Sequence, residues 1–508
     1  MNLALADKQP LFADLTGLRK FAGLAALMIL ADWLFYNSYP FGLSLVVYLL
    51  ALGLAALAAN PLRAGRAQGL RAFGVLAVLV FPLFAETSFI GFLFAALGAA
   101  YFAVAVARPD MPWNRRLGDA VALLADGSWQ AAADIVRGRT LLWKMMGMLD
   151  AAGTVAKWVV PVVLGAVFVF LFASANPLIE KLFTGIDFEA LWAHVSLWRI
   201  GFWLLILSLA WPFVFMASRS RLKAKARAKT EAILNTPLDM PASEWPDRVF
   251  GKAAIQRSLI LFNLLFAVQT LLDALYLWGG VRLPEGMTHA DYAHRGAYPL
   301  IVTALLAGAF VIVAMRPGTE AERSRPIRRL VFLWVAQNVG LVVSSLLRLD
   351  LYVEAFSLTY WRLAAFVWML LVAFGLILIV ARIVLRRSNG WLVRMNAGAL
   401  AVTLYVCALV NFPSVIAHYN VSRHLAVPAF SPDLCYLAGL GPQAIPAIDA
   451  YIRAQPSPDG QRTLSLRRAS LAASHEADQR NWRAWSLRDW QLTRYLRDHP
   501  TQDPAARR

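Results

Sequence analysis

A small set of polar side chains carries what chemistry this sequence offers. Asp32 and Asp273 are carboxylates inside otherwise apolar runs. At membrane depth such a group costs about 2.5–3.5 kcal/mol on insertion scales, so it faces a bundle interior, water or a partner. Arg348, Asp350, Glu354 and Arg362 gather around the junction of two later runs. Asp291, Tyr292 and Arg295 occupy the stretch between two others, and Asn411 closes the last. The guanidinium fork suits carboxylate or phosphate. If these residues converge, they form an outward-facing polar pocket for an anionic ligand or partner. The same residue types also suit plain ion pairs, such as Asp32 with Arg348 or Asp273 with Arg295, that staple spans together. The amides Asn263, Gln269, Gln337, Asn338 and Asn396 are milder intrusions that interhelical hydrogen bonds explain.

Familiar catalytic patterns are missing. The sequence has no GxxxxGK[ST] phosphate loop, no GxSxG elbow and no Rossmann fingerprint. His194, His289, His294, His418, His424, His475 and His499 show no HExxH spacing, and the two cysteines, Cys407 and Cys435, form no CxxC. The expectation is no metal and no cofactor, and the cysteines read as unpaired. Whether the protein is an enzyme stays open, with the balance toward a non-enzymatic role.

The elements that must position these groups follow from composition. Of 508 residues, 59% are hydrophobic and 16% charged. Soluble domains average about 45–50% and about 25%, so lipid must act as solvent for much of the surface. About eleven runs are long enough to cross the hydrocarbon core: 18–37, 41–59, 68–85, 88–107, 156–175, 198–217, 257–279, 297–315, 328–347, 361–382 and 394–411. The fold class expected is all-α, a polytopic helical membrane bundle.

Charge sets the direction. The formal net charge is +18. Lys and Arg concentrate in alternate connections, including the run Arg219, Arg221, Lys223, Lys225, Arg227 and Lys229, while the others hold few: Lys181, Arg199, Arg282, Arg295, Arg348 and Arg362. The positive-inside rule then puts the N-terminus in the cytoplasm and the C-terminus in the periplasm. The basic connections read as contacts with anionic lipids, and nucleic acid is not expected as a partner.

The domain reading is spans one to four in 1–107, a cytoplasmic amphipathic segment of one or two helices in 108–155, spans five and six in 156–217, a basic loop in 218–256, spans seven to eleven in 257–411, and a small helical extracytoplasmic domain in 412–508. In that last part helical stretches near 443–454 and 463–497 flank a loop signal at Pro456–Gly460. Trp482, Trp485, Trp490 and Tyr495 there interleave with Arg483, Arg488, Arg494 and Arg497. This stripe reads either as a surface that docks on lipid or on span ends, or as an ordinary helical core with a solvated face. Asp32-Trp33-Leu34-Phe35 and Asp273-Ala274-Leu275-Tyr276 form a faint echo, the trace of a parallel repeat.

Longer blocks carry a resemblance. They are Asp273 to Gly280, Leu283 to Thr288, and Asp291-Tyr292-Ala293-His294-Arg295-Gly296-Ala297-Tyr298-Pro299-Leu300. With them go Asp32 to Tyr36, Gly42-Leu43-Ser44, Arg348 to Ala355, Leu358 to Leu363, Asn411 and Tyr419-Asn420. In these the chain resembles the bacterial polytopic membrane proteins grouped as domain-of-unknown-function families 4173 and 4153. The resemblance implies a multi-span protein of the bacterial inner membrane and implies no activity. Three functions are compatible with the residues. The first is a sensor- or scaffold-like protein binding a small anionic ligand or protein partner on the outer side. The second is a secondary transporter using Asp32 and Asp273. The third is a membrane enzyme acting on a lipid-linked substrate.

Overall fold

The computed structural model describes residues 15–59, 66–146, 196–215, 252–273, 324–427, 432–454 and 458–500, with Leu275 and Phe310. Among them every regular element is helical: α1 (Leu15–Phe35), α2 (Leu43–Ala59), α3 (Arg66–Ala85), α4 (Phe89–Ala107), α5 (Trp113–Met146), α6 (Leu197–Val214), α7 (Lys252–Asp273), α8 (Arg325–Phe356), α9 (Tyr360–Val384), α10 (Asn389–Leu409), α11 (Phe412–Ala426), α12 (Leu434–Gly439), α13 (Ile445–Ala454), α14 (Pro458–Gln479) and α15 (Leu487–Asp498). Six described stretches are long and apolar enough to cross a membrane: Ala67–Ala85, Phe89–Ala107, Lys252–Leu271, Arg325–Phe356, Tyr360–Val384 and Asn389–Leu409. Leu43–Ala59 and Trp198–Val214 are apolar but shorter. The expected span at 156–175, the basic run 219–229 and the span at 297–315, apart from Phe310, lie outside the described residues.

Lipid is the solvent that these helices call for. The apolar stretches of α9 and α10 are only 17% and 11% buried, and Trp361 and Val402 stand exposed on them. A helix apolar all round and left bare by its neighbours satisfies its own backbone but not its side chains in water.

The chain forms two units, residues 1–236 with 478–488, and residues 237–477 with 489–508. In the first, α4 is built for close packing. Ser88 caps it, accepting from the Gly91 amide at 3.1 Å, Ala95, Ala99 and Ala103 are buried along it, and Gly98 lets Leu76 and Leu79 of α3 approach closely. Within its described residues the amphipathic segment forms one helix, α5. It buries Ala120, Leu123 and Ala131 and holds α6 through Trp211 Nε1, which donates to Asp134 at 3.1 Å.

In the second unit α7 and α8 pack side by side in parallel. Asn263 Nδ2 donates to the Leu330 carbonyl (3.1 Å), Gln337 Nε2 donates to the Asn263 carbonyl (3.2 Å), and Phe266 meets Trp334 edge-on. Trp334 is fully buried with Ile255, Leu259, Ile327 and Val331.

α8 overruns the apolar run that announced it. It has 32 residues, about 48 Å at 1.5 Å each, against a hydrocarbon core of about 30 Å. Its last turns stay helical because they have a second core to fill. Val353 and Leu358 are buried with Ile416, Ala417, Val421, Leu437, Ala444, Ile448 and Tyr451. Helices α11–α13 therefore share a core with the α8–α9 corner. Pro458 opens α14, where the sequence suggested a loop, because proline is tolerated in the first turn of a helix.

Asn420 locks that corner. Its amide accepts from the Leu358 N–H at 2.7 Å and donates to the Leu358 carbonyl at 3.0 Å, at 3% exposure. Asn420→Ala strands both backbone groups in a dry site, at about 1–3 kcal/mol for each buried group left unpaired. A lower thermal midpoint for the purified protein, by several degrees, is the expected readout.

Candidate functional site

The most developed polar cluster lies at the C-terminal end of α1. Ser196 caps α6, accepting from the Arg199 amide at 3.2 Å. That places Arg199 in the first turn and Trp203 one turn further along the same face. Asp32 and Tyr36 are likewise one turn apart on α1. Arg199 Nε and Nη2 donate to the two Asp32 carboxylate oxygens at 3.0 and 2.5 Å, and Trp203 Nε1 donates to Oδ1 at 2.9 Å. The guanidinium also lies 4.9 Å from the Tyr36 ring centre and 5.3 Å from that of Trp203. Tyr36 Oη donates to Ser196 Oγ at 3.1 Å. The fork is not sealed, since the Arg199 side chain is 45% exposed and that of Asp32 20%.

A strap from the C-terminal part of the chain borders this cluster. Asn481 caps a single turn, Trp482–Ala484, by accepting from the Arg483 amide at 3.1 Å. Trp482 packs on Trp33 at 5.7 Å between ring centres, and the Arg483 guanidinium lies 5.0 Å from the Trp33 centre. The Leu43 N–H donates to the Trp485 carbonyl at 2.9 Å. Trp485 packs on Phe84 at 5.1 Å, and Arg488 pairs with Glu86. The strap thus covers the end of α1, the start of α2 and the end of α3.

The other expected site residues are placed differently. Arg348, Asp350 and Glu354 lie within α8 and not in a loop beyond it. Arg348 is buried on the face that carries Asn338 and Ser344, while Asp350 and Glu354 are exposed. Glu354 pairs with Arg423 at 3.7 Å. Arg362 donates to the carbonyls of Phe356 and Ser357 and lies 4.5 Å from the Tyr352 ring centre, fastening the α8–α9 turn. Asn411 caps α11, and its Nδ2 donates to Gln443 Oε1 at 3.0 Å, whose Nε2 donates to Asp489 at 3.2 Å. Asp273 ends α7 with its side chain outside the described residues, as are Asp291, Tyr292 and Arg295. Among the described residues no three His, Cys, Asp or Glu side chains converge as a metal site would need.

Asp32 therefore takes Arg199, not Arg348, as its partner. Arg199 counted in the sequence only as a stray outer charge. The one local signal for it was Ser196 three residues before it with Trp203 four after, a helix cap followed by two residues on one face.

Such an arrangement defines an all-helical protein with the character of a membrane-embedded bundle. The chain belongs to the family described as domain of unknown function DUF4153, whose model matches residues 21–451. No curated protein and no solved structure matches it.

Proposed function

We propose that this is a non-enzymatic binding protein of the bacterial inner membrane, with a cytoplasmic N-terminus, an extracytoplasmic C-terminal part, and an anion-recognition site centred on Arg199. The observation that carries this reading is the accessible Arg199 fork, held by one carboxylate and walled by Tyr36 and Trp203. In this state Asp32 occupies the place that a ligand carboxylate or phosphate would take. Charge-assisted bidentate bonds beside aromatic faces give such a site both strength and direction. A carboxylate tied to a guanidinium is also poorly placed to act as a general base or a proton carrier, which favours binding over the catalytic and transport readings. The strap residues Trp482 and Arg483 on Trp33 offer a way for occupancy of the site to be felt in the strap.

The test separates a ligand site from a plain staple. In the full-length protein, tryptophan fluorescence is titrated with inorganic phosphate and, separately, with succinate. Asp32→Asn removes the internal competitor and should tighten binding of at least one anion about tenfold. Arg199→Gln should abolish it. A staple predicts the opposite pattern, with both variants destabilised and neither changing the titration.

A further inference from the structure

Far from the Asp32–Arg199 pair in sequence, the parallel α7 and α8 begin at the same end and leave a cleft between their N-terminal parts. Its volume is about 560 Å³, and its described walls are Gln256, Ile260, Arg325, Pro326, Arg329 and Leu330. We infer that this cleft is a binding site for the phosphate headgroup of an anionic phospholipid.

Among the described residues around the cleft the charge has one sign. Arg325 and Arg329 are exposed one turn apart on α8, with Lys252 and Arg257 on the opening turns of α7. Neither helix has an acidic residue in its first turn. Two parallel helix N-termini add partial positive charge at the same place, and Ser324, at the cap position of α8, makes no side-chain cap hydrogen bond there. Gln256 supplies an uncharged amide able to donate to a phosphate oxygen.

A lipid fits better than a free anion because of what lies further along the two helices. From Ile260 the exposed face of α7 continues through Leu264 (61% exposed), and from Arg329 that of α8 continues to Leu333 (50% exposed). An apolar track leading away from a basic cleft between two spans is the shape of an acylated phosphate, the arrangement by which basic pockets between transmembrane helices hold anionic lipids.

The test uses the full-length protein in a neutral detergent, with phosphatidylglycerol and phosphatidylcholine as probes and retained lipid read by native mass spectrometry. Wild type should retain phosphatidylglycerol about tenfold better than Arg325→Gln/Arg329→Gln. Gln256→Glu, which adds a like charge, should also weaken retention. These side chains lie at the surface, so circular dichroism should show unchanged helix content. Arg199→Gln should retain the lipid like wild type, which keeps this result separate from the anion site on α6. Equal retention by wild type and the double variant overturns the proposal. So does retention of phosphatidylcholine equal to that of phosphatidylglycerol. If millimolar inorganic phosphate displaces the lipid completely, the cleft is a free-anion site and the lipid assignment falls.

Discussion

Gly42→Ala is expected to release the strap. A Cβ at this position would sit 2.3 Å from the Ala484 carbonyl oxygen, 2.5 Å from its carbon and 2.6 Å from the Trp485 oxygen. All three are backbone atoms, so no side chain can swing aside to make room. Relief requires the strap to lift, and lifting it forfeits the Leu43–Trp485 backbone hydrogen bond and the aromatic contacts of Trp482, Arg483 and Trp485. The combined loss is about 3 kcal/mol, in the range of overpacking at a dry contact. Trypsin has sites at Arg483 and Arg488. When opening is fast relative to cleavage, the cutting rate follows the open population, so cleavage there should rise about a hundredfold, since each 1.4 kcal/mol is a factor of ten. Unchanged proteolysis with an unchanged thermal midpoint would show that the strap tolerates a side chain and that the contact is not tight.

Asp449→Asn should be at least as damaging, for an electrostatic reason. Arg468 is 5% exposed, and its Nε donates to Asp449 Oδ1 at 3.0 Å while Nη2 donates to the His499 carbonyl. Removing one partner of a buried pair leaves an uncompensated charge, at about 3–5 kcal/mol. Replacing both, as Asp449→Leu/Arg468→Met, should recover most of that loss, because the desolvation penalty goes with the charges. Differential scanning calorimetry of the two variants decides this. If the double variant is no better than the single, the pair is not the source of the instability. Tyr495 Oη donates to the same carboxylate at 3.1 Å. Burial first, and then the Asp449 charge, raise the Tyr495 phenol above its ordinary value of 10.0. Its neutral form is thus favoured in the fold. The stability this gives is complete below pH 10 and is lost as the pH climbs through the raised value.

The sequence displayed its helices more plainly than their pairings. The run 88–107 became Phe89–Ala107 because Ser88 and the apolar composition mark both limits. The run 328–347 became Arg325–Phe356 because lipid thickness alone does not set its end: Leu349 and Val353 find a protein core once the lipid stops. Asp32 stood out as a buried-looking charge, but its partner lies 167 residues away, and no spacing rule spans that distance. Asn411 was visible as a polar residue at a helix end, and its actual work is to cap the next helix, a role that depends on the chain turning there. Asp350 and Glu354 looked like pocket residues because charge beside a span is conspicuous. Their exposure on α8 came from helical phase, which a loop assignment cannot supply.

The 32-residue rod of α8 has a mechanical consequence. Upright in a bilayer of ordinary thickness, it leaves about 18 Å, more than three turns, outside the hydrocarbon. To lie wholly within the hydrocarbon it would have to lean by about 50°, beyond the usual range of tilt. Every ångström by which the surrounding membrane thickens must therefore appear as a change in lean or in protrusion, and Val353, seated in the core shared with α11–α13, rides on the part that moves.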